Sequence, residues 1–108
     1  MKHVELTRRA EKDLRQLDKP ARVRIADGLR RCLAAEPQPE NVDVKPLVGA
    51  EPWLRLRVGL YRVLYRPLAP DELSHLLAEL PEDDRPDEGY LVERIIHRRD
   101  LDRTAECL

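Results

Sequence analysis

The spacing of apolar residues changes along the chain, from helical in the first third to alternating in the middle. Lys2 to Leu6 reads as a short strand. Thr7 then suits the N-cap of a helix whose apolar positions Ala10, Leu14 and Leu17 recur at helical spacing. Asp18 or Lys19 opens a second helix that tolerates Pro20 in its first turn, and Val23, Ala26, Leu29 and Leu33 predict one apolar stripe among arginines. The run from Glu36 through Pro37 and Pro39 to Glu40 ends that helix, because closely spaced prolines hold the backbone extended. A loop is expected from there to about Pro52.

From Trp53 to Pro67 the period becomes two, the signature of paired strands. Gly59-Leu60 fits a two-residue type II′ turn with glycine in the first central position, which sets Val58 opposite Tyr61. That register puts Leu54, Leu56, Val58, Tyr61, Val63 and Tyr65 on the predicted core face, and Trp53, Arg55, Arg57, Arg62, Leu64 and Arg66 on the other. Arg57 then faces Arg62, with Arg55 and Arg66 nearby. Like charges opposed across strands are destabilising, so stability does not explain this choice. A solvated outer face that happens to use arginine is the plainer alternative; a phosphate-binding face of exposed arginines explains the pattern better.

Residues 68–89 hold a stretch from Asp71 to Leu80 compatible with a short helix, followed by a polar, turn-rich run. The whole segment reads as an acidic loop insertion at the periphery, too charged to contribute core. Tyr90 to His97 predicts a further strand, apolar at both parities and therefore central in a sheet. Arg98, Arg99 and Arg103 follow in a short closing helix. The expectation is a single α+β domain over residues 1–108, with two N-terminal helices packed on one face of a small antiparallel sheet.

A formal net charge of −1 would argue against a nucleic-acid target if the charge were spread evenly. It is not: residues 1–66 carry 15 Lys/Arg against 9 Asp/Glu, whereas residues 67–93 carry 1 against 9. A basic body with an acidic insertion still presents a cationic surface, since charges act over about 10 Å at ordinary salt. No apolar run approaches the roughly 18 residues of a membrane helix, and no export signal is evident, so a cytoplasmic protein without a membrane partner is expected. Cys32 and Cys107 lack metal-ligand spacing and read as free thiols, and no metal or cofactor is expected.

Four motifs occur in order: Lys12-Asp-Leu-Arg-Gln-Leu17, Val44-Lys-Pro-Leu-Val-Gly49, Arg55-Leu-Arg-Val-Gly-Leu-Tyr-Arg-Val-Leu-Tyr65 and Ile96-His-Arg-Arg-Asp-Leu101. Together they span nearly the whole chain and closely resemble the RelE/ParE superfamily, the toxins of bacterial type II toxin–antitoxin pairs. The resemblance implies helices on one side of the sheet and, on the opposite side, basic residues that meet the target. It further implies a cognate antitoxin as partner. In ribonuclease members those basic residues and a late tyrosine cleave messenger RNA on the ribosome without a metal. By position Arg55, Arg57 and Arg62 match the hairpin set and Arg98 the later arginine, with Arg66 and Arg99 as further phosphate-binding candidates. Where many members place the tyrosine, this chain has Asp102.

RNA cleavage by a 2′-hydroxyl needs a proton acceptor and cationic donors for the charge building on phosphate. Arginines serve the second need but, with pKa values above about 12, not the first. His97 is the candidate acid–base residue, since imidazole titrates near neutrality, although strand parity turns it away from Arg98. A partly buried, hydrogen-bonded histidine at the strand end is the competing assignment. His3 and His75 have no supporting arrangement, and Tyr61, Tyr65 and Tyr90 read as packing residues. A ribosome-dependent messenger endonuclease is therefore the leading expectation. The alternatives are a non-enzymatic inhibitor of DNA gyrase, for which a missing tyrosine is no defect, and a degenerate toxin acting only with its antitoxin in promoter regulation.

Overall fold

The computed structural model describes residues 1–101 and 103; Asp102 and Cys107 lie outside them. Five strands form one sheet: β1 (His3–Leu6), β2 (Val44–Pro46), β3 (Leu54–Val58), β4 (Tyr61–Pro67) and β5 (Gly89–His97), in the spatial order β1-β5-β4-β3-β2. The sheet is mixed, mostly antiparallel: β1 runs parallel to β5, and every other neighbouring pair is antiparallel. Among the described residues, no helix is long and apolar enough to cross a membrane.

Local sequence accounts for both N-terminal helices. The Thr7 hydroxyl accepts from Ala10 N–H at 3.1 Å and starts α1 (Arg8–Arg15), and the Asp18 carboxylate accepts from Ala21 N–H at 2.9 Å and starts α2 (Lys19–Leu29). Helix α2 runs into a wider π-type turn at Arg30–Ala34 before the proline break. Both helices cover one face of the sheet, where Ala10, Ile25, Leu29 and Leu33 pack against Leu56, Val58, Val63, Tyr65, Val92 and Ile95.

The buried stripe of α2 differs from the expected one. Ile25, Leu29 and Leu33 face the sheet, while Val23 is 60% exposed and Ala26 is also exposed. The helix has two apolar flanks, and close packing decides between them: a Cβ at Gly28 would come within 3.0 Å of Val58, so the glycine flank lies against β3.

The hairpin has the expected register, with Val58 opposite Tyr61 and Arg57 opposite Arg62. Gly59 has φ +58°, as the first position of a II′ turn requires. Part of the loop expected before the hairpin is instead β2, whose Val44, Lys45 and Pro46 pair with Leu56, Arg55 and Leu54. Proline is tolerated there because β2 is an edge strand.

Strand β5 lies between β1 and β4, but β1 reaches only to Val92. Beyond it, helix α1 satisfies the open edge. Asp13 Oδ2 accepts from Ile95 N–H at 3.0 Å and from Arg94 Nε at 2.7 Å, and the Thr7 hydroxyl donates to Glu93 O at 3.0 Å. A register shift beside Leu64 and Tyr65 pairs them with Arg94 and Val92 and leaves Glu93 as an extra residue.

The acidic segment is not a loop throughout. It contains α3 (Pro70–Leu76) and a 3₁₀ turn at Glu82–Asp84. Leu73 and Leu77 are buried, whereas Leu76 and Leu80 are exposed. Spacing of four residues gives α3 one apolar edge, and Leu73 seats against Gly89, where a Cβ would come within 3.0 Å of its Cδ1.

Candidate functional site

The face turned away from α1 and α2 has two parts. One is a small apolar cluster of Leu47, Leu64 and Ile96, flanked by Ala50, Trp53 and Leu101. The other is cationic. Alternation along β3 and β4 puts Arg55, Arg57 and Arg62 on this face. Arg98 follows β5 directly, and its N–H donates to Leu60 O in the hairpin turn at 2.8 Å, which ties it to the same end of the sheet. The Arg62 guanidinium is pushed below its ordinary range first by burial and then by the charges of Arg55, Arg57 and Arg98. Four arginines thus share one electrostatic field.

Arg62 corrects the expectation of a freely exposed arginine. It is only 8% exposed, and its Nη1 donates to Gly59 O at 3.0 Å and Tyr61 O at 2.9 Å. The side chain curls back over the turn, so it braces the hairpin as well as contributing charge. Arg57 remains open to solvent, with Asp43 Oδ2 3.8 Å from its Nη1.

The other sequence candidates separate from this group. Arg66 makes two bonds to the Glu72 carboxylate, at 2.9 and 2.8 Å, and lies over the Trp53 ring at 5.7 Å, so its guanidinium is already engaged. The pair holds Glu72 down to about 2, through the Arg66 bond first and the Ala69 N–H second. Arg99 lies on the helix side, in a cleft with Asp13, Gln16, Tyr61 and His97. His97 also faces that side: it pairs with Tyr61 and meets its ring edge-on at 5.7 Å. Its Nδ1 accepts from Arg99 N–H at 3.2 Å, the hydrogen-bonded strand-end arrangement rather than a place among the arginines.

The remaining aromatic and histidine residues take packing or surface positions. Tyr65 is buried against Tyr90 at 5.5 Å, and burial pushes its phenol up to about 12. His3 pairs with Glu5 at 2.8 Å and His75 is exposed. Cys32 is a half-buried free thiol.

Sequence reasoning missed Lys45 and Asp43. Lys45 pairs with Arg55 and so lies on the arginine face, exposed to solvent. Asp43 precedes it by two residues, and its carbonyl accepts from Arg57 N–H at 3.0 Å, which places Asp43 on that face too. The available signal was the apolar Val42 and Val44 alternating with Asp43 and Lys45, obscured by Pro46. Among the described residues, no group of His, Cys, Asp and Glu is arranged to hold a metal ion.

Residues 4–101 match the family described as "ParE toxin of type II toxin-antitoxin system, parDE", and the chain belongs to that family. Two solved structures are similar in fold. One is a chain of a RelB-RelE antitoxin-toxin complex from Methanococcus jannaschii, 19% identical, with a TM-score of 0.59, covering 93% of this chain and 96% of that one. The other is in the archaeal RelE-RelB complex from Pyrococcus horikoshii OT3, 24% identical, with a TM-score of 0.53, covering 90% and 94%. No curated protein matches the chain significantly.

Proposed function

We propose that this member of the ParE toxin family inhibits translation as a ribosome-dependent messenger endoribonuclease, restrained by a cognate antitoxin. The observation that carries the reading is the gathering of Arg55, Arg57, Arg62 and Arg98 on the face opposite the helices. Such a cluster is costly without a ligand and is relieved by phosphate, which accepts paired bonds from guanidinium groups. In the reaction the substrate 2′-oxygen bonds to phosphorus as the bond to the 5′-oxygen breaks, leaving a 2′,3′-cyclic phosphate and a free 5′-hydroxyl. Preorganised arginines stabilise the charge that builds on the phosphoryl oxygens. Asp43 is the carboxylate this reading assigns to accept the 2′-hydroxyl proton, since it lies beside Arg57 on the same face. Water returns a proton to the leaving oxygen.

A second reading, inhibition of DNA gyrase by binding alone, is favoured by the position of His97 on the far side of the sheet from the arginines. Purified protein assayed in parallel for messenger cleavage on programmed ribosomes and for inhibition of gyrase supercoiling separates the two. Cleavage that is absent from Arg55→Ala and Arg98→Ala supports the nuclease; gyrase inhibition without cleavage establishes the alternative.

A further inference from the structure

His97 stands away from the arginine cluster yet lies at the root of the turn that carries one of its members. Its ring is fixed on one side by the edge-on contact with Tyr61. On the other side its Nδ1 accepts from Arg99 N–H, so it caps the 3₁₀ turn Arg98–Asp100 as a helix N-cap residue does. The intervening Arg98 N–H is held by Leu60 O of the hairpin turn at 2.8 Å. The peptide that launches the Arg98 side chain is therefore pinned on both sides, once by the hairpin and once by the imidazole.

We infer that His97 is a positioning residue for Arg98, which it directs onto the arginine face only while its Nδ1 lone pair is free. This rests on the reading of that face as an RNA site. A neutral imidazole with its proton on Nε2 can accept the Arg99 N–H, whereas imidazolium is a donor at both nitrogens and cannot. The polar and charged groups that line the cleft with His97 are Asp13 and Gln16 from α1, Tyr61 from β4, Arg94 from β5, and Arg99 and Asp100 from the turn. Protonation thus removes the cap and adds a cation to this cleft. The turn loosens, and Arg98 leaves the phosphate site as pH falls. Simple electrostatics predicts the opposite sign, because added positive charge strengthens RNA binding.

The test compares full-length wild type, His97→Asn and His97→Leu from about pH 8 to about pH 5, the window in which imidazoles titrate. Amide exchange of Arg98 and Arg99 is followed by NMR, and binding of a single-stranded RNA oligonucleotide is followed in parallel. In wild type, both amides should lose protection and affinity should fall roughly tenfold, the scale of one charge-assisted contact, as the His97 ring signals report protonation. Asparagine keeps an acceptor without titrating and should hold both readouts constant. Leucine should be weak at every pH, with its melting transition retained; if it does not fold, wild type against His97→Asn decides. The inference is overturned if amide protection ignores His97 protonation, or if folded His97→Asn shows the same acid loss as wild type. If the amides follow His97 while even wild type binds no RNA at any pH, the positioning role stands and the RNA reading falls.

Discussion

Arg57 and Arg62 face each other across the β3–β4 hairpin, yet Arg57 is exposed and Arg62 is buried, only 8% exposed. One cation is offered to solvent while its neighbour is folded over the turn. Replacing Arg62 by Ala removes two donors and leaves Gly59 O and Tyr61 O without them. The expected result is a loss of about 1–3 kcal/mol in denaturant unfolding, together with loss of activity. A fully stable Arg62→Ala protein would show that the brace contributes nothing.

Arg55, Arg57 and Arg98 are the cleaner probes of binding. Each Ala substitution should change stability by no more than about 0.5 kcal/mol, since none is deeply buried. Each should also reduce the slope of log affinity for single-stranded RNA against log salt by about 0.7, the contribution of one neutralised phosphate. Unchanged slopes in all three variants would remove the arginine face from the RNA-binding reading.

Much of this arrangement was legible in the sequence because the hairpin leaves little choice. Gly59 fixes the turn, the turn fixes the register, and a period of two then assigns Arg55, Arg57 and Arg62 to one face. What alternation does not contain is the path of a long side chain: the curl of Arg62 onto its own turn and the capture of Arg66 by Glu72 depend on partners elsewhere. Helix α2 was ambiguous for a related reason, since Val23 and Ile25 offer competing flanks and only the contact of Gly28 with Val58 decides between them. Strand β2 was hidden because three residues ending in proline carry almost no periodic signal.

Asp43→Asn separates binding from chemistry. Removing a negative charge beside Arg57 should tighten RNA binding at low salt, and removing the proton acceptor should lower single-turnover cleavage on ribosomes by about 100-fold or more. Tighter binding with undiminished cleavage would leave the cationic face in place and eliminate Asp43 as the base.

The Arg66–Glu72 pair sets an acid limit on stability. With an ordinary value of 4.5 and a folded value of about 2, the Glu72 carboxylate stabilises the fold above pH 4.5, and that contribution is lost as pH falls from 4.5 towards 2. Glu72→Gln should melt lower than wild type at neutral pH, and the gap should close across that window. A gap independent of pH would mean that the charge of Glu72 contributes nothing to stability, through either Arg66 or the Ala69 N–H.

The acidic segment combines a docked edge with a charged exterior, and the two respond to different substitutions. Leu73 is 5% exposed against Gly89, so Leu73→Ala should destabilise the protein by about 2–4 kcal/mol, whereas Leu76→Ala, at a solvent-facing position, should not. Neutralising Glu79, Glu82, Asp83, Asp84 and Asp87 together leaves that edge intact, because all five side chains belong to exposed positions or to the turn beyond α3. Their charge acts at a distance: it repels phosphate from the neighbouring surface and attracts a basic stretch of a partner chain. The neutralised protein should therefore keep its melting transition and bind nonspecific RNA more tightly at low salt. That gain should disappear as ionic strength rises, since screening shortens the reach of such charges to a few ångströms at about 1 M. A gain that persists at high salt would point to new contacts in place of lost repulsion, and a collapse of the melting transition would make these carboxylates part of the packed structure.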